Sequence, residues 1–172
     1  MADASKVEAG KKSGTNSSGL EGKYLTFILG DEEYGVEIMK VREIIGVMEI
    51  TAVPHTSAYI KGVINLRGRV IPIMDLRLKF GMEEVEYTER TCVIVVEVQG
   101  RNGPIQVGML VDAVSEVMNI LAADIEPPPD FGISAAADNI LGMGKVKGQI
   151  KILLDADQVV GNGFMTEAGA MH

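Results

Sequence analysis

The chain has 172 residues, of which 47% are hydrophobic, and a formal net charge of −8. This size and composition fit one domain, or two small ones, with a substantial hydrophobic core. The acidic balance argues against a nucleic-acid backbone as the main partner, because affinity for phosphates comes from clustered lysine and arginine.

Both ends of the chain lack the pattern of a folded segment. Residues 1–22 are rich in glycine, serine, lysine and alanine without hydrophobic periodicity, which predicts a disordered N-terminal tail. Residues 161–172 are small and polar, and we expect a flexible C-terminal tail. No apolar run approaches the roughly 18 residues of a membrane-spanning helix, and we see no secretion signal.

The first folded elements follow the N-terminal tail. Residues 24–29 and 33–36 have β character and turn at Gly30, so they predict a hairpin. The apolar residues of the segment 38–45 recur at helical spacing, which predicts a short helix with Glu43 off its buried stripe. Residues 47–53 form another β-like run.

The stretch 59–76 reads Tyr-Ile-Lys-Gly-Val-Ile-Asn-Leu-Arg-Gly-Arg-Val-Ile-Pro-Ile-Met-Asp-Leu. Residues 63–67 alternate loosely and residues 70–74 are almost continuously apolar, so two strands are predicted with a tight reversal at Gly68. Pro72 has no N–H for a sheet, which places its strand at an edge or a bulge.

Two residues of this stretch have alternative explanations. Gly62 has no side chain, so another backbone or a partner molecule can approach it closely. Arg67 is either a solvated charge at a hairpin tip or a guanidinium that pairs with a carboxylate in a docking surface. Glu43 is a candidate for that carboxylate.

The second half of the chain continues the strand pattern. Asp75 is placed to cap a short helix ending at Gly81, and residues 91–98 and 105–111 predict a third hairpin with a bend near Asp112. The single cysteine, Cys92, lies in this apolar run, and we expect it to be buried without a disulfide.

The last predicted elements surround a proline-rich segment. Residues 121–139 include three consecutive prolines followed by Asp130 and Phe131, and we expect a loop that cannot be sheet. Residues 141–146 and 149–154 predict a fourth hairpin. Asp155, with Gln158 three residues later, resembles a capping box for a short helix.

Many short strands with a turn every 8 to 12 residues predict an all-β barrel fold with short helices. The number of barrels does not follow from the pattern. Two histidines and one cysteine, widely separated, cannot build the usual zinc site, and there is no Gly-x-Ser-x-Gly elbow. No cofactor, metal or catalytic site is therefore predicted.

Residues 59–68, followed by Val-Ile-Pro-Ile-Met-Asp-Leu-Arg, resemble the signature of the CheW-like family of bacterial chemotaxis coupling proteins. The resemblance extends from about residue 23 to residue 160, which would be the CheW-like domain. It implies two small five-stranded SH3-like β-barrels that are interleaved in sequence. The first and last strands would form one barrel and the central hairpins the other.

The resemblance also implies a function. The protein would be a non-enzymatic adaptor in the cytoplasm that couples chemoreceptors in membrane-associated arrays to the chemotaxis histidine kinase CheA. The matching positions for the receptor's helical-hairpin tip are Val41, Glu43, Gly62 and Arg67. Phe131 matches a position used against the regulatory domain of the kinase. The free protein would be a monomer that neither enters the membrane nor binds nucleic acid.

The sequence is also compatible with two other classes of function. An oligonucleotide-binding barrel would need basic, aromatic-bearing strands, whereas this chain is acidic and has 5% aromatic residues. A small enzyme could use Asp75, Asp112 or His55 as a base. It would require a pocket with a buried carboxylate or histidine whose pKa is shifted.

Overall fold

A computed structural model describes residues 19–129 and 139–162, and this part of the chain is mostly β. Phe131 and most of both predicted tails lie outside the described residues. The strands are β1 Gly22–Leu29, β2 Glu32–Glu37, β3 Val41–Gly46, β4 Ile60–Leu66, β5 Arg69–Asp75, β6 Cys92–Gly100, β7 Gly103–Val111, β8 Ala113–Ile120, β9 Ile125–Glu126, β10 Ile140–Val146 and β11 Gln149–Leu154. The helical segments are α1 Leu76–Lys79, two 3-10 turns, Ile38–Lys40 and Ala122–Asp124, and a π-helix, Asp157–Asn162.

The strands form two sheets that are interleaved in sequence. The first sheet has the order β8-β1-β2-β11-β10-β9, and the second has the order β3-β6-β7-β5-β4. The expected fold class, mostly β with short helices and the central hairpins grouped apart from the first and last strands, is confirmed. The first sheet has six strands where five were expected, because the two-residue β9 pairs with β10.

Each sheet curls around its own apolar core, so we call them the first and second barrel. Tyr24, Ile120, Ile125 and Leu153 pack together inside the first barrel. Seven buried aliphatic residues fill the second: Ile64, Leu66, Ile71, Ile73, Val93, Val95 and Leu110. A third cluster joins the barrels, with Phe27 and Val36 of the first packed with Ile94 and Met109 of the second. Cys92 is half-buried against this third cluster, in agreement with its apolar setting.

The chain crosses from the second barrel to the first at the predicted bend. Asp112 lies between β7 and β8, and its carboxylate accepts hydrogen bonds from Arg77 Nε at 2.8 Å and Arg77 Nη2 at 2.7 Å. It also accepts from the Gly30 backbone N–H at 2.8 Å. The hydrogen bond from Arg77 lowers the pKa of Asp112. This ion pair ties helix α1 of one barrel to the β1–β2 turn of the other.

The β4–β5 and β10–β11 hairpins have the same turn conformation and a register shift at a similar position. Arg67 and Lys147 have left-handed φ angles of 52° and 53°, and the glycines that follow them also have positive φ. Both hairpins have a register shift near their open end, at Gly62 and at Gly142. Turns with two positive φ angles match the twist of the strands that they join. The reversal predicted at Gly68 is therefore confirmed.

Each of these two hairpins leads into a helix that begins with an aspartate. Asp75 Oδ1 accepts hydrogen bonds from the Arg77 and Leu78 backbone N–H groups, and α1 follows. Asp155 Oδ1 accepts from the Gln158 N–H at 3.3 Å, before the π-helix. The predicted cap at Asp75 is confirmed, since its carboxylate satisfies N–H groups that lack a partner within the helix. Of the predicted capping box, the half formed by the Asp155 carboxylate is present, while the Asp155 N–H donates to the Asn139 carbonyl oxygen at 2.9 Å.

Three local predictions were wrong. The helix predicted at 38–45 is a single 3-10 turn followed by strand β3, because its β-branched residues suit the pairing with β6. Residues 47–53 contain only one bridge, from Thr51 to Val63. The loop predicted at 121–139 includes the short strand β9, which ends before the first proline.

Pro72 lies in β5, which is not an edge strand. Its neighbour β7 pairs only with the segment from Ile73 to Asp75, so the missing N–H of Pro72 leaves no gap in that ladder. The partner strand β4 carries the register shift between Ile60 and Gly62. The expectation of an edge or a bulge therefore holds only in this local sense.

Candidate functional site

Glu43 and Arg67 meet at one end of the second barrel. Arg67 Nη2 donates a hydrogen bond to Glu43 Oε1 at 2.6 Å. The Arg67 side chain is 65% exposed and that of Glu43 is 27% exposed, so a partner molecule can reach the guanidinium. This hydrogen bond lowers the pKa of Glu43, and the charge of Arg69 acts in the same direction.

The backbone fixes both members of this pair. Arg67 is held in the left-handed region by the β4–β5 turn, where Asn65 Oδ1 accepts a hydrogen bond from the Gly68 N–H at 2.8 Å. Glu43 lies on β3 opposite Val95, a core residue of the second barrel. Since paired residues in an antiparallel sheet share one face, Glu43 points to the core side just beyond the apolar layer.

The other two residues of the expected receptor surface have structural contacts of their own. Val41, at the start of β3, packs against the cluster between the barrels. Gly62 has φ 141°, and a Cβ added there would overlap the Thr51 carbonyl oxygen and lie 2.7 Å from the Thr51 carbonyl carbon. Gly62 therefore permits the close approach of the Thr51 backbone, which forms a bridge with Val63.

Four further polar side chains lie at the same end of the second barrel. Arg42 Nε donates to Glu97 Oε1 at 3.2 Å, Gln106 Nε2 donates to the same oxygen at 3.4 Å, and Arg69 Nη1 donates to Gln106 Oε1. Sequence reasoning missed them. Their signal was available, because on β5, β6 and β7 the core-facing alternation ends in a polar residue at this end.

The residues considered for an enzyme have structural roles. Asp75 is buried, and burial raises its pKa, but its Oδ1 atom caps helix α1. Asp112 is neutralised by Arg77 and has a lowered pKa. His55 is exposed in a turn. Among the described residues, no group of three or more His, Cys, Asp or Glu side chains could hold a metal ion.

A family model of the CheW-like domain matches residues 23–163. The chain belongs to the CheW-like domain family. The resemblance seen in residues 59–77 is thereby confirmed, and in the structure those residues form the β4–β5 hairpin and the start of α1.

Individual CheW proteins match over most of their length. Chemotaxis protein CheW of Klebsiella aerogenes is 41% identical over 143 residues, which cover 83% of this chain and 84% of that protein. Chemotaxis protein CheW of Rhizobium meliloti is 41% identical over 135 residues, or 78% and 84% of the two chains. The crystal structure of the scaffolding protein TtCheW from Thermoanaerobacter tengcongensis gives a TM-score of 0.71 at 31% identity, covering 84% of this chain and 97% of that one.

In this CheW-like chain, the structure brings together two of the four expected receptor residues, Glu43 and Arg67. Val41 is near Glu43 along β3, whereas Gly62 contacts Thr51. No helix in the described part of the chain is long and apolar enough to cross a membrane.

Proposed function

We propose that this protein is a non-enzymatic adaptor that couples chemoreceptors to the chemotaxis histidine kinase. It acts in the cytoplasm, is monomeric when free, and is recruited to membrane-associated receptor arrays. The receptor's helical-hairpin tip contacts the surface that includes Val41, Glu43, Gly62 and Arg67. Phe131 contributes to the contact with the kinase regulatory domain.

One observation supports the receptor surface most directly. Arg67 and Glu43 come from elements far apart in sequence, and their ion pair holds both charged groups in a fixed geometry at an exposed barrel end. A charge that is held in place before binding loses less conformational entropy when the partner arrives. Exposed charged rims also select partners and fix their register. Membership of the CheW-like family supplies the context for this arrangement.

The first experiment is co-sedimentation of the protein with receptor-containing membranes, with and without the kinase. We expect the wild-type protein to sediment with the receptors, and to bring more kinase into the pellet. Protein that remains in the supernatant with every candidate receptor, both with and without the kinase, would refute the adaptor function.

A double-mutant cycle then tests the ion pair. Arg67→Ala and Glu43→Ala should each weaken receptor binding by about tenfold or more. The melting temperature should change little, because Arg67 is exposed, Glu43 is only half-buried, and an ion pair at the surface contributes about 0–1 kcal/mol to stability. The double variant should lose less than the sum, since the second change removes a charge that is already unpaired. Additive losses would show that the two residues act separately.

The chain provides a matched control for Arg67. Lys147 has the same place in the β10–β11 turn of the first barrel and nearly the same φ, 53° against 52°. Lys147→Ala therefore removes one positive charge from the same type of turn. We expect it to leave receptor binding unchanged, and an equal loss for both variants would indicate a general charge effect.

A further inference from the structure

Six polar side chains lie at the same end of the second barrel. We call this set the barrel-mouth surface, and its members are Arg42, Glu43, Arg67, Arg69, Glu97 and Gln106. It contains three guanidinium groups and two carboxylates, so one positive charge is left uncompensated on a chain with a net charge of −8.

The positions of these residues follow from the register of the sheet. Glu97 and Gln106 are directly paired between β6 and β7, and each is two residues away from a residue inside the second barrel, Val95 and Gly108. Arg69 is likewise two residues before the core residue Ile71 on β5. Because side chains alternate along a strand, all three face the axis of the barrel at its open end.

Hydrogen bonds connect four of the six side chains from strand to strand. Glu97 Oε1 accepts from both Arg42 and Gln106, and the Gln106 amide oxygen accepts from Arg69. Arg69 lies close enough to Glu43 for its charge to stabilise that carboxylate. Arg69, at one end of the hydrogen-bonded chain, therefore interacts electrostatically with the Glu43–Arg67 pair.

We propose that the whole barrel-mouth surface is one binding site for a carboxylate side chain on an acidic helical segment of the receptor. Arg42, Arg69, Glu97 and Gln106 are then specificity-determining residues in addition to Glu43 and Arg67. This inference rests on the proposed function. Its partner chemistry follows from the uncompensated guanidinium and from the exposure of Arg67 and Arg69.

The test uses Arg69→Gln in the full-length protein, measured by sedimentation with receptor-containing membranes at several salt concentrations. Glutamine suits this turn, because Gln149 has the equivalent place in the first barrel. We expect binding to weaken by about tenfold, as for a lost charge contact at an interface. The salt dependence of binding should decrease, since one fewer charge pair is screened. An NMR titration should show the pKa of Glu43 rise although Arg67 is intact.

Two further variants sharpen the test. Gln106→Leu breaks the link between Arg69 and Glu97 without changing the charge, and should weaken binding less than Arg69→Gln and non-additively with it. Arg90→Gln is the charge control, because Arg90 precedes β6 and so lies at the opposite end of the second barrel. It should bind as the wild type does.

The outcomes separate this inference from the proposed function. If Arg67→Ala loses binding while Arg69→Gln binds normally with an unchanged salt dependence, the adaptor function stands and the barrel-mouth surface is refuted. If the wild type does not bind receptors at all, the proposed function itself fails. If Arg90→Gln weakens binding as much as Arg69→Gln does, the effect is one of net charge and the inference is also overturned.

Discussion

Replacing Gly62 with alanine should destabilise the second barrel strongly. The added Cβ would overlap the Thr51 carbonyl oxygen and lie 3.0 Å from the Ala52 Cα, so the backbone must move. That movement breaks two hydrogen bonds, Thr51 N–H to Val63 O at 2.8 Å and Val63 N–H to Thr51 O at 2.9 Å. At about 1 kcal/mol each, with about 1–3 kcal/mol of backbone strain at φ 141°, the expected loss is about 3–5 kcal/mol.

Urea denaturation followed by circular dichroism measures this loss of unfolding free energy. In thermal unfolding of a protein of this size, the same loss should lower the melting temperature by about 10 °C. Gly103→Ala is the matched control, because Gly103 has φ 117° but no atom within 4 Å of an added Cβ. Gly103→Ala should lose only the free energy that corresponds to backbone strain, about 1–3 kcal/mol. If Gly62→Ala costs no more than Gly103→Ala, the steric argument is wrong. Receptor binding measured below the unfolding range then reports what Gly62 contributes to the partner.

Two further predictions concern ion pairs. In the folded protein the hydrogen bond from Arg77 lowers the pKa of Asp112. The contribution of Asp112 to stability is therefore fully present above the pKa that this carboxyl has in the unfolded chain, and it is lost as the pH falls through its pKa in the folded protein. The melting temperature of Asp112→Asn should therefore be lower at neutral pH but fall less on acidification than that of the wild type, and parallel curves would contradict this. Lys151 is buried in an ion pair with Glu33. Lys151→Met should cost about 2 kcal/mol in urea denaturation by leaving Glu33 unpaired, and adding Glu33→Gln should restore part of that loss; no recovery would show that the pair is not the cause.

Local features of the structure could be predicted where the conformation depends only on residues that are close in sequence. The turn at Gly68 and the caps at Asp75 and Asp155 each depend on residues within about four positions, and all three are present. The helix predicted for segment 38–45 was wrong because its conformation does not depend on local residues alone. Its apolar spacing fits a helix as well as a 3-10 turn followed by a strand, and only the pairing with β6 distinguishes them.

The candidate site was predictable only in part. Arg67 is conspicuous because a charged residue stands at a hairpin tip beside an apolar strand, and Glu43 was a possible partner without a known distance. Their contact depends on how β3 and the β4–β5 turn meet around the second barrel. For Arg69, Glu97 and Gln106 the sequence shows only that each is a polar residue at the end of an alternating strand, which does not indicate that they lie together. They form a set only when β5, β6 and β7 place them at one end of the second barrel.

The hairpins follow from local sequence, because alternation and turn residues act over a few positions. Which hairpins share a barrel depends instead on pairings between strands that are distant in sequence. β2 pairs in parallel with β11 near the end of the chain, and β5 pairs in parallel with β7. Such pairings close long loops. Which strands pair depends on burying the apolar faces of both sheets at the same time, as in the cluster that contains Phe27 and Ile94. No local segment carries that information, since several apolar strands here would satisfy any single edge.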